Sequence, residues 1–123
     1  MIIDFHTHIF PEQFRNHREE IAARDKTFRT LFTSTNSRMA SVEELIDAMD
    51  ESGIDISVVM GMGWENMDVC KVSNDYIIEA VHKFPRRLKG FCSVSPNWGG
   101  KAIEEIHRCV DSGLTGVGEL HPD

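Results

Sequence analysis

The sequence predicts an α/β fold built on a parallel sheet, and three observations carry that prediction. Four short apolar runs, "MIIDF", "GIDISVVMG", "LKGFCSV" and "LTGVGEL", recur along the chain, and runs of this length and make-up read as strands. Segments with helical period separate them, so the order is strand, helix, strand, helix, strand, helix, strand. Two of the helix exits, "DESGIDISVV" and "VDSGLTGVGE", pass in the same way from an acidic last turn through glycine into a strand. Such alternation implies parallel strands joined by right-handed crossovers. At 123 residues, 41% hydrophobic and 27% charged, the chain has the length of one modest domain with its own core.

The first strand lies in "MIIDF", and residues 11–40 then depart from the alternation. "PEQFRNHREEIAARD" has the make-up of a helix and "KTFRTLFTSTNSR" reads as loop. An insert of that length commonly builds a lid or a substrate wall. The first crossover helix begins at Ser41, an N-cap with Glu44 three residues on as a capping box. Val42, Leu45, Ile46 and Met49 share its buried face, and Gly53 ends it. "DVCKVSNDYIIEAVHKFP" carries the next helix up to Pro85, and "KAIEEIHRCVDSG" the third up to Gly113.

After the fourth strand the sequence reads "GELHPD", with no helix to cover that strand. Parallel sheets are normally buried on both faces, and bare edges pair with other chains. The expectation is the first half of something larger, associating with itself as a homo-oligomer or through its open strand edges.

Composition narrows the function. The net charge is −7 and no lysine or arginine cluster is long enough to track a phosphate backbone, which argues against nucleic acid as a partner. Cys70, Cys92 and Cys109 are odd in number and have no C-x-x-C spacing, so they read as reduced, partly buried core residues. No 18-residue apolar run and no basic leader are present in the sequence, and the expectation is a cytoplasmic protein without a membrane partner.

The chemistry concentrates in "DFHTHIF", residues 4–10. On a strand, residues i and i+2 point to one side, so His6 and His8 present two imidazoles on one face, roughly 7 Å apart at Cα. Asp4 lies on the same face below them. The strand's C-terminal end is where α/β folds place their active sites, and imidazoles there suit zinc, iron, nickel or manganese. A pair of hydrogen-bonded histidines at a strand end is the plainer reading of the same spacing. Trp64 in "MGMGWEN" and Trp98 in "SPNWGG" follow the second and third strands, where an aromatic ring lines a pocket mouth and stacks on a planar substrate. Packing on neighbouring helices is the alternative for both. His82 and His107 fall in helices and read as surface residues, and His17 falls in the insert.

"DFHTHIFP" at the N-terminus, followed by the β/α alternation and by "GVGELHP" at the fourth strand, resembles the amidohydrolase superfamily. Within it, the likeness is to the amidohydrolase-2 branch that contains aminocarboxymuconate semialdehyde decarboxylase. The resemblance implies a TIM (β/α)₈ barrel of which residues 1–123 are a single N-terminal part, the first four strands, with the insert 11–40 after strand one. It implies a small-molecule substrate, a carbonyl or carboxylate compound hydrolysed or decarboxylated through a metal-activated water. It implies a divalent metal, zinc first with manganese or iron as alternatives, held by His6 and His8. The later histidine and aspartate of the family's site have no counterpart here. By likeness to TatD-type nucleases and some phosphotriesterase-like members, Glu119 is a third ligand or general base, and His121 contacts substrate or metal. Two other readings share the motif: a phosphoesterase of the polymerase-and-histidinol-phosphatase type, and a non-catalytic metal-binding, self-associating module.

Overall fold

The computed structural model describes residues 1–34 and 36–121. Thr35 of the insert, and Pro122 and Asp123 of "GELHPD", lie outside the described residues. Four strands, β1 (Ile3–His8), β2 (Ile56–Met60), β3 (Leu88–Cys92) and β4 (Gly116–Val117), form one sheet in the order β1-β2-β3-β4. All three pairings are parallel. Helices α1 (Glu12–Asn16), α2 (Arg18–Arg24) and α3 (Lys26–Phe32) make up the insert. The crossovers are α4 (Val42–Ser52), α5 (Met67–Lys83) and α6 (Gly100–Asp111), the last preceded by a 3₁₀ turn at Pro96–Trp98.

The local chemistry of the crossovers is as expected. Ser41 and Glu44 exchange both bonds of the capping box at the start of α4, and Gly53 closes that helix in the left-handed region at φ 70°. Asn66 caps α5 through its side chain. Val59, Met49, Ile77, Leu88, Cys92 and Leu114 form the core between the sheet and α4 to α6. The three cysteines are free and buried, and burial pushes the Cys70 thiol far up, which leaves it inert.

The insert differs from its expected form. The segment read as one helix is two, divided at His17, and the segment read as loop contains α3. The side chain of Asp25 accepts the Phe28 amide at the head of α3, and Phe28 and Phe32, one turn apart, are buried. Arg18 then ties the exit of α3 by donating to the carbonyls of Phe32, Ser34 and Ser37.

Trp64 requires the larger correction. It is 0% exposed, enclosed by Phe10, Phe14, Phe28 and Phe32 at ring-centroid distances from 5.6 to 6.4 Å. Its ring holds the insert onto the β2 loop and offers no face to a ligand. The insert is a packed helical layer with its own aromatic core.

The fourth strand is shorter than "LTGVGEL" implied. Only Gly116 and Val117 pair, opposite Phe91 and Cys92. A side chain at Gly116 would meet the Phe91 ring at 2.5 Å, so glycine is what allows β4 to close against β3. Among the described residues, large apolar side chains stay exposed at the outer strands: Ile3 and Phe5 on β1, and Val117 and Leu120 at β4.

Candidate metal centre

β1 delivers His6 and His8 at its C-terminal end, and the chain leaving β4 delivers Glu119. The Nε2 atoms of His6 and His8 are 3.1 Å apart, and Glu119 Oε2 lies 3.2 Å from the first and 3.4 Å from the second. Three donor atoms bound to one tetrahedral cation at about 2.0–2.1 Å lie about 3.3 Å from one another. The observed triangle has that size. Imidazole nitrogen and carboxylate oxygen also form a chemically coherent set for a divalent transition metal, so the residues fit the ion that the motif implies.

Neighbouring groups prepare the histidines. Nδ1 of His8 donates to the carbonyl of Met60, its partner in the β1–β2 register, at 3.0 Å. That bond fixes the tautomer and leaves Nε2 with a lone pair for a cation. Burial lowers the pKa of His8, outweighing the opposite pull of the Met60 carbonyl and of Glu119, so the ring is neutral at neutral pH. The β1–β2 register shifts between Asp4 and Thr7. That irregularity breaks the simple alternation, and Asp4 accepts the His6 amide hydrogen and is absent from the donor triangle.

A buried chain of polar groups holds Glu119 in place. The Ser93 hydroxyl, at the end of β3, donates to the Glu119 carbonyl at 3.1 Å and accepts from the Gly63 amide at 2.8 Å. The Ser93 backbone is gripped from both sides by the Asn74 amide of α5, and Asn74 donates onward to Glu105 of α6 at 2.9 Å. The sequence reading missed all three residues. Their one signal is polar residues at positions where the helix and strand periods require apolar ones.

The other expected site residues are scattered. His121 lies beside the triangle, its Nε2 3.8 Å from Glu119 Oε1. Trp98 is half-buried, packs against both cores, and gives its indole hydrogen to the Glu65 carbonyl. Trp64 is a core residue, as described above. His17, His82 and His107 are exposed and take no part.

A parallel β/α sheet with an imidazole and carboxylate triangle at the C-terminal ends of its first and last strands has the architecture of the first part of a β/α barrel, with a donor set that could hold a metal. The amidohydrolase family model matches residues 3–123, and the chain belongs to that family. It is similar to 2-amino-3-carboxymuconate-6-semialdehyde decarboxylase of Dictyostelium discoideum, 25% identical over an alignment covering 94% of this chain and 39% of that protein. Its fold is similar to part of 5-carboxyvanillate decarboxylase from Novosphingobium aromaticivorans, solved with manganese and 4-hydroxy-3-methoxy-5-nitrobenzoic acid. There the TM-score is 0.72 and the identity 21%, over 95% of this chain and 40% of the other. Dihydroxybenzoic acid decarboxylase from Polaromonas, solved with manganese and 2-nitroresorcinol, gives a TM-score of 0.60 at 23% identity, over 94% and 37%. The chain thus spans about two fifths of the length of these relatives and corresponds to the N-terminal part of their barrels.

Proposed function

We propose that this chain supplies the N-terminal, metal-holding half of a decarboxylase or hydrolase acting on a small carboxylate or carbonyl compound. The observation that carries the proposal is the triangle of His6, His8 and Glu119, with its 3.1 to 3.4 Å edges. Decarboxylation has the support of the named decarboxylase relative. Zinc suits the imidazole-rich set, and manganese is the ion present in both solved neighbours. A divalent cation held there supplies Lewis acidity toward a carbonyl or carboxylate oxygen.

The chain's own residues supply the rest. His6 and His8 bind through Nε2, with His8 oriented by Met60. Glu119 binds through Oε2, while its Oε1, turned toward His121, is placed to hold or release a proton near the substrate. Trp98 and His121 are proposed as part of the substrate wall. The molecule is proposed to belong to a single barrel domain, to associate through its open strand edges, and to reside in the cytoplasm. No helix among the described residues is long and apolar enough to cross a membrane, and buried free thiols accord with a reducing compartment.

Metal per chain, measured by elemental mass spectrometry after purification without chelator, tests the assignment. Close to one divalent ion is expected in the wild type and close to none in the His6→Ala, His8→Ala double variant. Equal metal in both would overturn the site.

A further inference from the structure

We infer that Lys26 of the inserted helix α3 and His121 beyond β4 form an anion-binding subsite that takes the carboxylate of the substrate beside the metal triangle. The inference rests on the proposed metal site and extends it to substrate recognition.

A pocket of about 160 Å³ is lined by Lys26, Thr27, Thr30, Leu31 and His121. Since a water molecule occupies about 30 Å³ of liquid, the space suits a carboxylate together with part of the body that bears it. The pocket adjoins the metal triangle through one residue. His121 Nε2 is 3.8 Å from Glu119 Oε1, while Glu119 Oε2 faces His6 and His8. Gly63 fixes that proximity, because a Cβ there would lie 2.6 Å from the His121 amide nitrogen.

The polar inventory of the pocket points to an anion. His121 Nε2 is buried and has no hydrogen-bond partner among the described residues, and a buried polar group left unpaired is costly until a ligand satisfies it. Lys26 is the one cationic side chain lining the pocket, and among the described residues it makes no salt bridge, as is true of most lysines and arginines of this chain. An unpaired ammonium in a chain of net charge −7 marks an attractive spot for a negative group. No aspartate or glutamate is among the lining residues, and the Glu119 carboxylate lies just beyond them, 3.8 Å from His121 Nε2. The Thr30 hydroxyl is committed to the Lys26 carbonyl at 3.0 Å, which leaves Lys26, Thr27 and His121 as the lining residues whose polar side-chain groups have no hydrogen-bond partner among the described residues. Leu31, packed on the aromatic core of the insert, supplies an apolar floor. One ammonium with a hydroxyl and an imidazole matches a singly charged carboxylate on a flat or apolar body better than a phosphate dianion, which calls for more positive charge.

The test uses the Mn²⁺-loaded chain and two probes that differ by the carboxylate, 2,6-dihydroxybenzoate and resorcinol. Binding is read from the broadening of their proton NMR signals by the bound Mn²⁺. Lys26→Met is expected to weaken 2,6-dihydroxybenzoate about tenfold, to leave resorcinol and Mn²⁺ affinity unchanged, and to be largely rescued by Lys26→Arg. Lys101→Met, on α6, is expected to change nothing. Equal affinity for 2,6-dihydroxybenzoate in wild type and Lys26→Met, or an equal loss in Lys101→Met, would overturn the subsite while leaving the metal site standing. Failure of the wild type to take up Mn²⁺ would overturn both readings.

Discussion

A cation needs a neutral imidazole with a free lone pair, and at His8 both conditions are set by neighbours. Burial keeps the ring neutral and the Met60 carbonyl takes the hydrogen on the other nitrogen. The same residue-scale logic applies to Glu119, which sits outside any regular strand and depends on Ser93 for its position. Ser93→Ala leaves the Gly63 amide and the Glu119 carbonyl without a partner, at a cost of about 1–3 kcal/mol. Denaturant unfolding should show that loss, and metal affinity should fall with it; a stability loss with unchanged metal affinity would make Ser93 purely structural.

Glu105, at the far end of that network, gives a pH prediction. Burial pushes its carboxyl up, but the Arg108 guanidinium and the Asn74 amide outweigh burial and hold it below the ordinary value of 4.5. A lowered carboxylate contributes stability above its unfolded pKa and loses it as the pH falls through the folded one. Stability should therefore decline below about pH 4.5, and Glu105→Gln should be less stable at neutral pH with a flatter acid limb. An unchanged acid limb in that variant would contradict the assignment. His6 and His8 were legible in the sequence as an i, i+2 pair at the end of a strand, and Glu119 only through a known family pattern. Ser93, Asn74 and Met60 were not, because their roles rest on contacts between elements far apart in the chain.

At the scale of elements, the strand and helix alternation, the Ser41 capping box and the Gly53 stop were all readable, since each is local chemistry. The insert was misread for the opposite reason. The helical turn from Lys26 to Phe32 is stabilised by Asp25 at its head and by the burial of Phe28 and Phe32 on Trp64, a ring more than thirty residues away. Trp64 was expected at a pocket mouth because its loop follows a strand, yet the aromatic side chains of the insert claim it. Trp64→Ala should cost about 3–5 kcal/mol and loosen α1 to α3 before the sheet, measured as a lowered urea midpoint with early loss of amide protection in the insert. Full protection of the insert in that variant would show that the aromatic core does not hold it.

On the scale of the whole molecule, a four-stranded parallel sheet leaves β1 and β4 as edges, with Phe5 64% and Ile3 50% exposed. Phe5 reaches across β2 to meet the Phe91 ring edge-on at 5.8 Å, but most of its surface stays open to solvent. Apolar area at open strand edges favours association. Sedimentation at micromolar concentration should give a mass above the monomer, lowered by Phe5→Lys; a clean monomer would contradict this.

The central claim is that side chains at the end of β1 and just beyond β4 converge on one ion, and titration of Mn²⁺ into wild type and Glu119→Ala, followed by electron paramagnetic resonance, tests it most directly. One site per chain in the wild type, weakened at least about tenfold in Glu119→Ala by loss of one of three ligands, is the predicted result. Identical Mn²⁺ affinity in the two proteins would show that β4 contributes nothing to the centre, and that the triangle is only a hydrogen-bonded contact.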